Sequence, residues 1–416
     1  MEKLAIFGGN PVKTTPYGTG KRFGDEEVVQ LREALEQNTL FYWFGKKTKQ
    51  MNEKFAKMYG VKYSVAASSG TAAIHVALGT IGITAGDEVI TSPITDVGSV
   101  IGILAQNAIP VFADVDPNSY NITAESIEAK ITDKTKAVIV VHLAGNAAGM
   151  DAIMAVAKKH NIKVIEDCAQ SYMCYYKGKL AGTIGDIGCF SLNDFKHISA
   201  GDGGMCIMNS EDYYYKAMKF ADKNYKRIDA ANLRSVDFLA PNYRMNELTA
   251  AVAIAQLDKV QDICNKRNTY GDGITAGIKG LKGLTPHKVE SGGKASYWFY
   301  LMRMDEKQAG VTKHEFVEAL KAEGINSRVG YIPSCVYEYP MFTNKNVYPG
   351  TKVPFNLPEY GRHIEYKKGD CPVAEEVLDS VIFLPVNEFF TSDDLNETVA
   401  AIQKVSKYYL EQTKNV

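Results

Sequence analysis

Residues 136–171 read KAVIVVHLAGNAAGMDAIMAVAKKHNIKVIEDCAQS, two short Val/Ile runs enclosing a stretch with helical spacing. A strand that is apolar on both faces, joined through a helix to a second such strand, is the signature of a parallel sheet covered on both sides. The pattern repeats towards the N-terminus, where YSVAAS leads into GTAAIHVALGTIG, DEVITSP into VGSVIGILAQN, and IPVFADVD into TAESIEAKI. Before these, EEVVQLREALEQ (26–37) and TKQMNEKFAKMYG (48–60) place apolar residues at helical spacing, and Gly60 stops the second. Towards the C-terminus the alternation breaks. Residues 244–266 predict one long helix, followed by a strand in SYWFYLMRM, a helix in KHEFVEALKAEG, and a last strand–helix pair in SVIFLPV and DDLNETVAAIQKVSKYYLEQ. The expected organisation is an N-terminal arm (1–20), a large domain (21–255) and a small C-terminal domain (256–416).

The bulk properties narrow the function. A chain of 416 residues is long for one core, and 45% hydrophobic with 23% charged residues is an ordinary globular composition. A formal charge of −1 with scattered Lys and Arg gives no electrostatic reason to expect nucleic acid or anionic lipid. No apolar stretch approaches the ~20 residues that cross a bilayer, and the apolar run in MEKLAIFGGNPV is too short for a signal peptide. Seven cysteines without C-x-x-C spacing read as reduced, buried thiols rather than metal ligands, so a cytoplasmic protein without a metal centre is expected.

In an open parallel sheet, ligands sit beyond the carboxyl ends of the strands, and four segments fall there. SSGTAA (68–73) is a Gly–Thr turn feeding a helix; it reads as an anion cradle or as a plain turn capped by Ser69. VIEDCAQS ends a hydrophobic strand in two acids, of which Asp167 is expected to face a cation such as a protonated ring nitrogen, or to cap the next segment. FSLNDFKHISAGDGG (190–204) sets Lys196 beside His197 between apolar and glycine-rich flanks. A partly desolvated Lys196 would be an amine nucleophile, whereas most lysines are surface charges. APNYRMNE (240–247) is a polar knot before the long helix, read as helix capping by Asn242 when taken alone. Together, a phosphate cradle, an acid for a ring nitrogen and a lysine for a carbonyl are the parts that hold pyridoxal phosphate.

Carried by SSGTAA, PVFADVD, VHLAGNAAGMD, VIEDCAQS, GTIGDIGCFSL, KHISAGDGG, NYRMNELTAA and CPVAEE in this order, the chain resembles the DegT/DnrJ/StrS sugar aminotransferases over nearly its whole length. The resemblance implies a pyridoxal-phosphate transferase of fold type I: a large α/β domain with a mostly parallel seven-stranded sheet between helices, plus a smaller C-terminal α+β domain. It implies that Lys196 is the Schiff-base lysine, that Asp167 pairs with the pyridine nitrogen, and that Gln170 lies near the cofactor hydroxyl. Gly70, Thr71 and Ser191 match phosphate contacts. Asn242 matches one donated by the neighbouring subunit, which implies a homodimer with shared active sites. Some family members are dehydratases with histidine in place of the lysine; the frame around KHISAGDGG puts Lys196, not His197, in that slot.

The implied reaction moves an amino group from glutamate or glutamine to a ketone on a sugar, expected to be nucleotide-linked; a keto-cyclitol is the alternative acceptor. A dehydratase of the family would need a residue other than lysine at 196, and a regulatory relative would be expected to lose Lys196 or Asp167. Several positions depart from the family. Asp96 stands where an aromatic residue commonly stacks on the cofactor, Ala144 where a bulkier one is common, and Asn193 and Asp194 replace a frequent His-Pro. Four aromatics, Phe41 to Phe44, suit a subunit interface or substrate stacking. Asp96, Asn193, Tyr331 and Tyr337 are the expected acceptor-side residues.

Overall fold

The computed structural model describes residues 2–412; Met1 and residues 413–416, the outer ends of the expected arm and small domain, lie outside the described residues. The Val/Ile runs form the strands of a seven-stranded sheet: β1 (Tyr63–Ala67), β2 (Glu88–Thr91), β3 (Ile109–Phe112), β4 (Thr135–Val141), β5 (Lys163–Asp167), β6 (Ile187–Ser191) and β7 (Gly204–Met208). Their spatial order is β1-β7-β6-β5-β4-β2-β3. From β6 to β3 all neighbours are parallel, while β7 runs antiparallel to both β6 and β1. β1 therefore points the same way as β6, so six carboxyl ends share one edge of the sheet. β5 is the middle strand, and its last residue, Asp167, pairs with Val141 on one side and Cys189 on the other. This is the mostly parallel, seven-stranded α/β architecture expected.

The helices that frame the sheet are α1 (Asp25–Glu36), α2 (Lys47–Tyr59), α3 (Gly70–Ile81), α4 (Gly98–Ala105), α5 (Met150–His160) and α6 (Glu247–Ile278). One face of the sheet is buried against α3 and α4 through residues such as Ile74, Val76 and Val100. The other is buried against α2, α5 and α6 through Phe55, Ile153 and Ala250. A third core, around Tyr270, Tyr300, Phe316 and Ile402, belongs to an antiparallel sheet of β8 (Leu284–Thr285), β9 (Phe299–Met304), β10 (Arg328–Val329) and β11 (Val381–Pro385), in the order β8-β9-β11-β10. Two further helices, α7 (Lys313–Ala322) and α8 (Ser392–Gln412), cover it.

The long helix differs from expectation at both ends. Its N-cap is Asn246, whose Oδ1 accepts the N–H groups of Leu248 at 3.0 Å and Thr249 at 2.9 Å, so Asn242 does not cap it. At the other end it runs on to Ile278, through a glycine-rich segment that helix propensity reads as a break. Packing explains this: a Cβ on Gly271, Gly273 or Gly277 would lie 2.4–2.5 Å from Tyr297, Leu395 or Val399. Those glycines let the side chains of Tyr297, just before β9, and of Leu395 and Val399 on α8 pack directly on the α6 backbone, and the burial outweighs a propensity cost of about 1 kcal/mol each.

The N-terminal arm is tied to α8 by a buried charge. Lys13 Nζ meets Asp394 Oδ1 at 2.5 Å and Glu397 Oε2 at 2.6 Å, and Asp394 Oδ2 also accepts the N–H groups of Gly18 and Thr391. Burial would raise the Asp394 carboxyl, but Lys13 and these N–H groups outweigh it and bring the pKa down to about 2. The folded value lies below the unfolded one, so this stabilisation is present above about pH 4 and is lost as pH falls through about 2. Lys13→Met strands a buried carboxylate and is expected to cost about 3 kcal/mol, read from the urea midpoint at neutral pH. An unchanged midpoint would show that the arm is not held by this pair.

Candidate active site

Five strand ends meet at the carboxyl edge of the large sheet. After β1, Ser69 Oγ caps α3 by accepting the Ala72 N–H at 3.0 Å, and Ser69 O takes the Ala73 N–H. The N–H groups of Gly70 and Thr71, in the first turn, have no acceptor among the described residues and point out of a helix N-terminus. Gly70 sits against Ser191 at the end of β6, where a Cβ would come within 2.7 Å of the serine Cβ. A Cβ on Gly98 would lie 2.6 Å from Thr71 Oγ1 and 2.9 Å from Asp96 Oδ1. Gly70, Thr71, Ser191 and Asp96 are thus close neighbours at this edge. The free N–H groups of Gly70 and Thr71 and the hydroxyls of Thr71 and Ser191 suit a phosphate.

Asp167, buried, closes the middle of the cleft. Its Oδ2 accepts from Ser99 Oγ at 2.7 Å, Ser99 Oγ is 2.7 Å from Thr95 Oγ1, and Oδ1 accepts the Ala169 N–H at 3.0 Å. Burial pushes the Asp167 carboxyl above the usual range, and the bonds from Ser99 and Ala169 offset this only in part. A carboxylate so placed is short of positive charge, which a protonated ring nitrogen would supply.

Beside it, Glu166 points to the other face of the strand. Burial would push its carboxyl up, but the bond from His142 (Nε2 to Oε2, 2.9 Å) and the N–H groups of Gly182, Ile184 and Gly185 hold it below the usual range. His142 Nδ1 accepts the Ala148 N–H. His142, Glu166 and Cys168 lie as close together as the ligands of a metal ion, yet the imidazole nitrogens and the carboxylate are already engaged, and the group braces the end of β5.

Lys196 lies on the loop after β6, in a turn closed by its own N–H to Asn193 O at 2.9 Å. Its amine makes no hydrogen bond or ion pair with any described residue; it lies 3.8 Å from the centroid of the Trp298 ring. Burial holds its pKa below the ordinary lysine value, partly offset by the charges of Asp167 and Asp96. The loop is clamped from outside: the Arg22 guanidinium donates to the carbonyls of Asp194, Lys196 and His197. Glu388 sits 3.7 Å from Arg22 and is held by Arg267 at 2.6 and 2.9 Å. His197 is fully buried, with Nε2 on Ser296 O at 3.0 Å; burial and the Arg267 charge keep it neutral. It anchors the loop.

Gln170 joins the segment after β4 to the one after β10. Its Oε1 accepts the Ala144 N–H at 2.8 Å and its Nε2 donates to Tyr331 Oη at 3.2 Å. Ala144 is fully buried with φ 58°, a left-handed conformation costing about 1–3 kcal/mol that its two backbone bonds, to Gln170 and Trp298, over-determine. Asp96 is exposed, caps Gly98 N at 2.8 Å, and its charge reaches Lys196, Tyr331 and Tyr339.

The structure thus brings together Lys196, Asp167, Gln170, Gly70, Thr71, Ser191, Asp96 and Tyr331. Asn193 stays at the rim, its side chain engaged with Phe195 N and Asp202. Tyr337 does not reach the cleft. It is 0% exposed, packs on Phe112, and donates its hydroxyl to Glu375, because the segment after Cys335 turns inward onto β3. Asn242 is exposed and lies beside Asp222, which holds Arg227, Arg244 and the Tyr42 hydroxyl. Of the four aromatics, Phe44 is 73% exposed. Sequence reasoning missed Ser99, Trp298 and the Arg22–Glu388–Arg267 clamp. Ser99 lay within the TSPITDVGS strand-end segment, but the clamp joins three distant stretches and leaves no local signal.

Known proteins with this arrangement exist. A family model described as the DegT/DnrJ/EryC1/StrS aminotransferase family matches residues 21–403. The spore coat polysaccharide biosynthesis protein SpsC of Bacillus subtilis (strain 168) is 32% identical over 392 residues, 92% of this chain and 95% of that protein. A Micromonospora echinospora protein, named provisionally as an L-glutamine:3-amino-2,3-dideoxy-scyllo-inosose aminotransferase, is 32% identical over 97% of both chains. Among solved structures, an aminotransferase from Psychrobacter cryohalolentis superposes with a TM-score of 0.83 at 29% identity, covering 95% of this chain and all of that one.

Proposed function

The chain belongs to the DegT/DnrJ/EryC1/StrS aminotransferase family, and from that premise we propose that it moves an amino group from glutamate or glutamine to a ketone on a sugar, using pyridoxal phosphate held around Lys196. The observation that carries this is the half-buried Lys196 amine, free of any hydrogen-bond partner, beside the buried Asp167 carboxylate and the unpaired N–H groups of Gly70 and Thr71. When bound, pyridoxal phosphate supplies a carbonyl carbon for amines and a ring that absorbs the electrons of a broken C–H bond. Gly70 and Thr71 N–H, with the Thr71 and Ser191 hydroxyls, would hold its phosphate; Asp167 would keep its ring nitrogen protonated; Gln170 would meet its ring hydroxyl. Lys196 Nζ, whose pKa burial lowers, would take the proton from the α-carbon of the amino donor. The same nitrogen later delivers a proton to the former ketone carbon of the acceptor, so it works as base and then as acid.

Asp96 and Tyr331 face the space where an acceptor would lie, and Asn193 borders it. Asn242, exposed on its own chain, is read as completing the phosphate site of a second copy in a homodimer, with the aromatics 41–44 packing between subunits. The arm, a large domain to about residue 255 and a small domain beyond it are read as the working units of a cytoplasmic enzyme; among the described residues no helix is long and apolar enough to cross a membrane.

The SpsC relative, named for polysaccharide biosynthesis, supports a sugar acceptor, taken to be nucleotide-linked. The relative matched at nearly full length supports a second reading, a keto-cyclitol. Protein loaded with cofactor, aminated with glutamine or glutamate and freed of donor, is to be mixed with nucleotide-linked keto-sugars and with free keto-cyclitols, and the aminated product identified by mass spectrometry. Transfer to the first class supports the leading reading, and transfer to cyclitols alone selects the second. Transfer to neither, from either donor, would overturn both.

A further inference from the structure

We propose that Trp298 is a positioning residue for Lys196, its indole face being the rest on which the free amine sits whenever it is not covalently engaged. The inference rests on the reading of Lys196 as the reactive amine. The Lys196 Nζ lies 3.8 Å from the ring centroid, and among the described residues the amine has no hydrogen-bond or ion-pair partner. Trp298 is held at three points, two on its backbone and one on the indole. Trp298 N donates to Ala144 O at 3.0 Å, its carbonyl accepts from Arg267 Nη1 at 3.2 Å, and Nε1 donates to Phe195 O at 2.7 Å. Phe195 precedes the lysine, so the ring binds the loop by its edge and the amine by its face. His197 on Ser296 O adds a further tie between the same two segments.

The chemistry explains why a ring suits this place better than a carboxylate. An ion pair at contact raises an amine pKa by roughly 1–3 units and would hold the lysine charged. A π-face attracts the ammonium more weakly, without a hydrogen bond to break, so the amine is held in place yet free to lose its proton and leave. The other groups facing this loop are Asp167 at the end of β5, Asp96 before α4, Tyr331 across the cleft, Asp194 on the loop itself, and Arg22, Arg267 and His197 on its outer side. None of them hydrogen-bonds to or pairs with the amine.

The test uses the full-length chain freed of small molecules, pulse-labelled with acetic anhydride across a pH series, with acetylation of Lys196 read by peptide mass spectrometry. Trp298→Met keeps bulk and removes the π-face, and its labelling midpoint is expected to fall by roughly one pH unit, because the charged form loses its rest. Trp298→Phe keeps a π-face but loses the Nε1 donor, and its midpoint is expected to stay near wild type. Equal midpoints in Met and Phe variants, or an upward shift in Met as water enters, would overturn the proposal. Should the Met variant fail to fold, Trp43→Phe leaves Trp298 the sole tryptophan of two. Its emission should then step with pH at the Lys196 labelling midpoint and lose that step in Trp43→Phe/Lys196→Met; a step that persists there overturns the proposal. If Lys196 were not the cofactor lysine, borohydride trapping would label another residue while these profiles stood unchanged, so the two failures are separable.

Discussion

Lys196→Ala is expected to abolish amino transfer, by a factor of about 10⁴ or more, because in the proposed reaction one side chain is both nucleophile and proton carrier and general acid–base catalysis alone contributes about 10²–10⁴. No neighbour can take over. His197 is buried, held neutral, and committed through Nε2 to Ser296 O, and Arg22 is spent on three loop carbonyls. Lys196→Arg sharpens the test, since a guanidinium keeps the positive charge but offers no neutral amine. It should be as inactive as the alanine variant, whereas a purely electrostatic role would be rescued. The check is product formation over hours with glutamine as donor. Substantial activity in either variant would remove Lys196 from the chemistry.

Asp167→Asn is the second large effect. The substitution keeps the shape and removes the charge, and a nearby opposite charge is worth roughly 1–3 pH units of proton affinity to a ring nitrogen. The protonated fraction at neutral pH should fall accordingly, and kcat with it, by about 10²–10³. The sign gives a control: residual activity of the variant should rise as pH falls and protonation is restored, a rise the wild type lacks. Because burial already pushes the Asp167 carboxyl up, replacing it with a neutral amide should not lower stability, so a thermal melt separates lost chemistry from lost fold. Wild-type kcat in Asp167→Asn would contradict the assignment.

The large sheet was legible because each of its parallel strands is an unbroken apolar run flanked by helical spacing, and the carboxyl-edge rule then pointed to Asp167, Lys196 and the Gly70–Thr71 turn before any coordinate. Legibility failed where local sequence and tertiary packing disagree. The glycines of α6 look like a stop and are in fact contact points for Tyr297, Leu395 and Val399. Tyr337 looked like a cleft residue beside Tyr331, yet the chain between them turns inward, and nothing in RVGYIPSCVYEYP marks which tyrosine faces which way. Asn246, four residues on from Asn242, proved to be the helix cap. Arg22, Glu388 and Arg267 come from the segment before α1, a late loop and α6; only the fold shows that they converge on the loop that carries Lys196.

The central claim is that Lys196 is the residue that takes the cofactor. Wild-type protein incubated with pyridoxal phosphate, reduced with borohydride and digested, should yield a single phosphopyridoxyl adduct, on the peptide that contains Lys196. An adduct on any other lysine, or none, would contradict it.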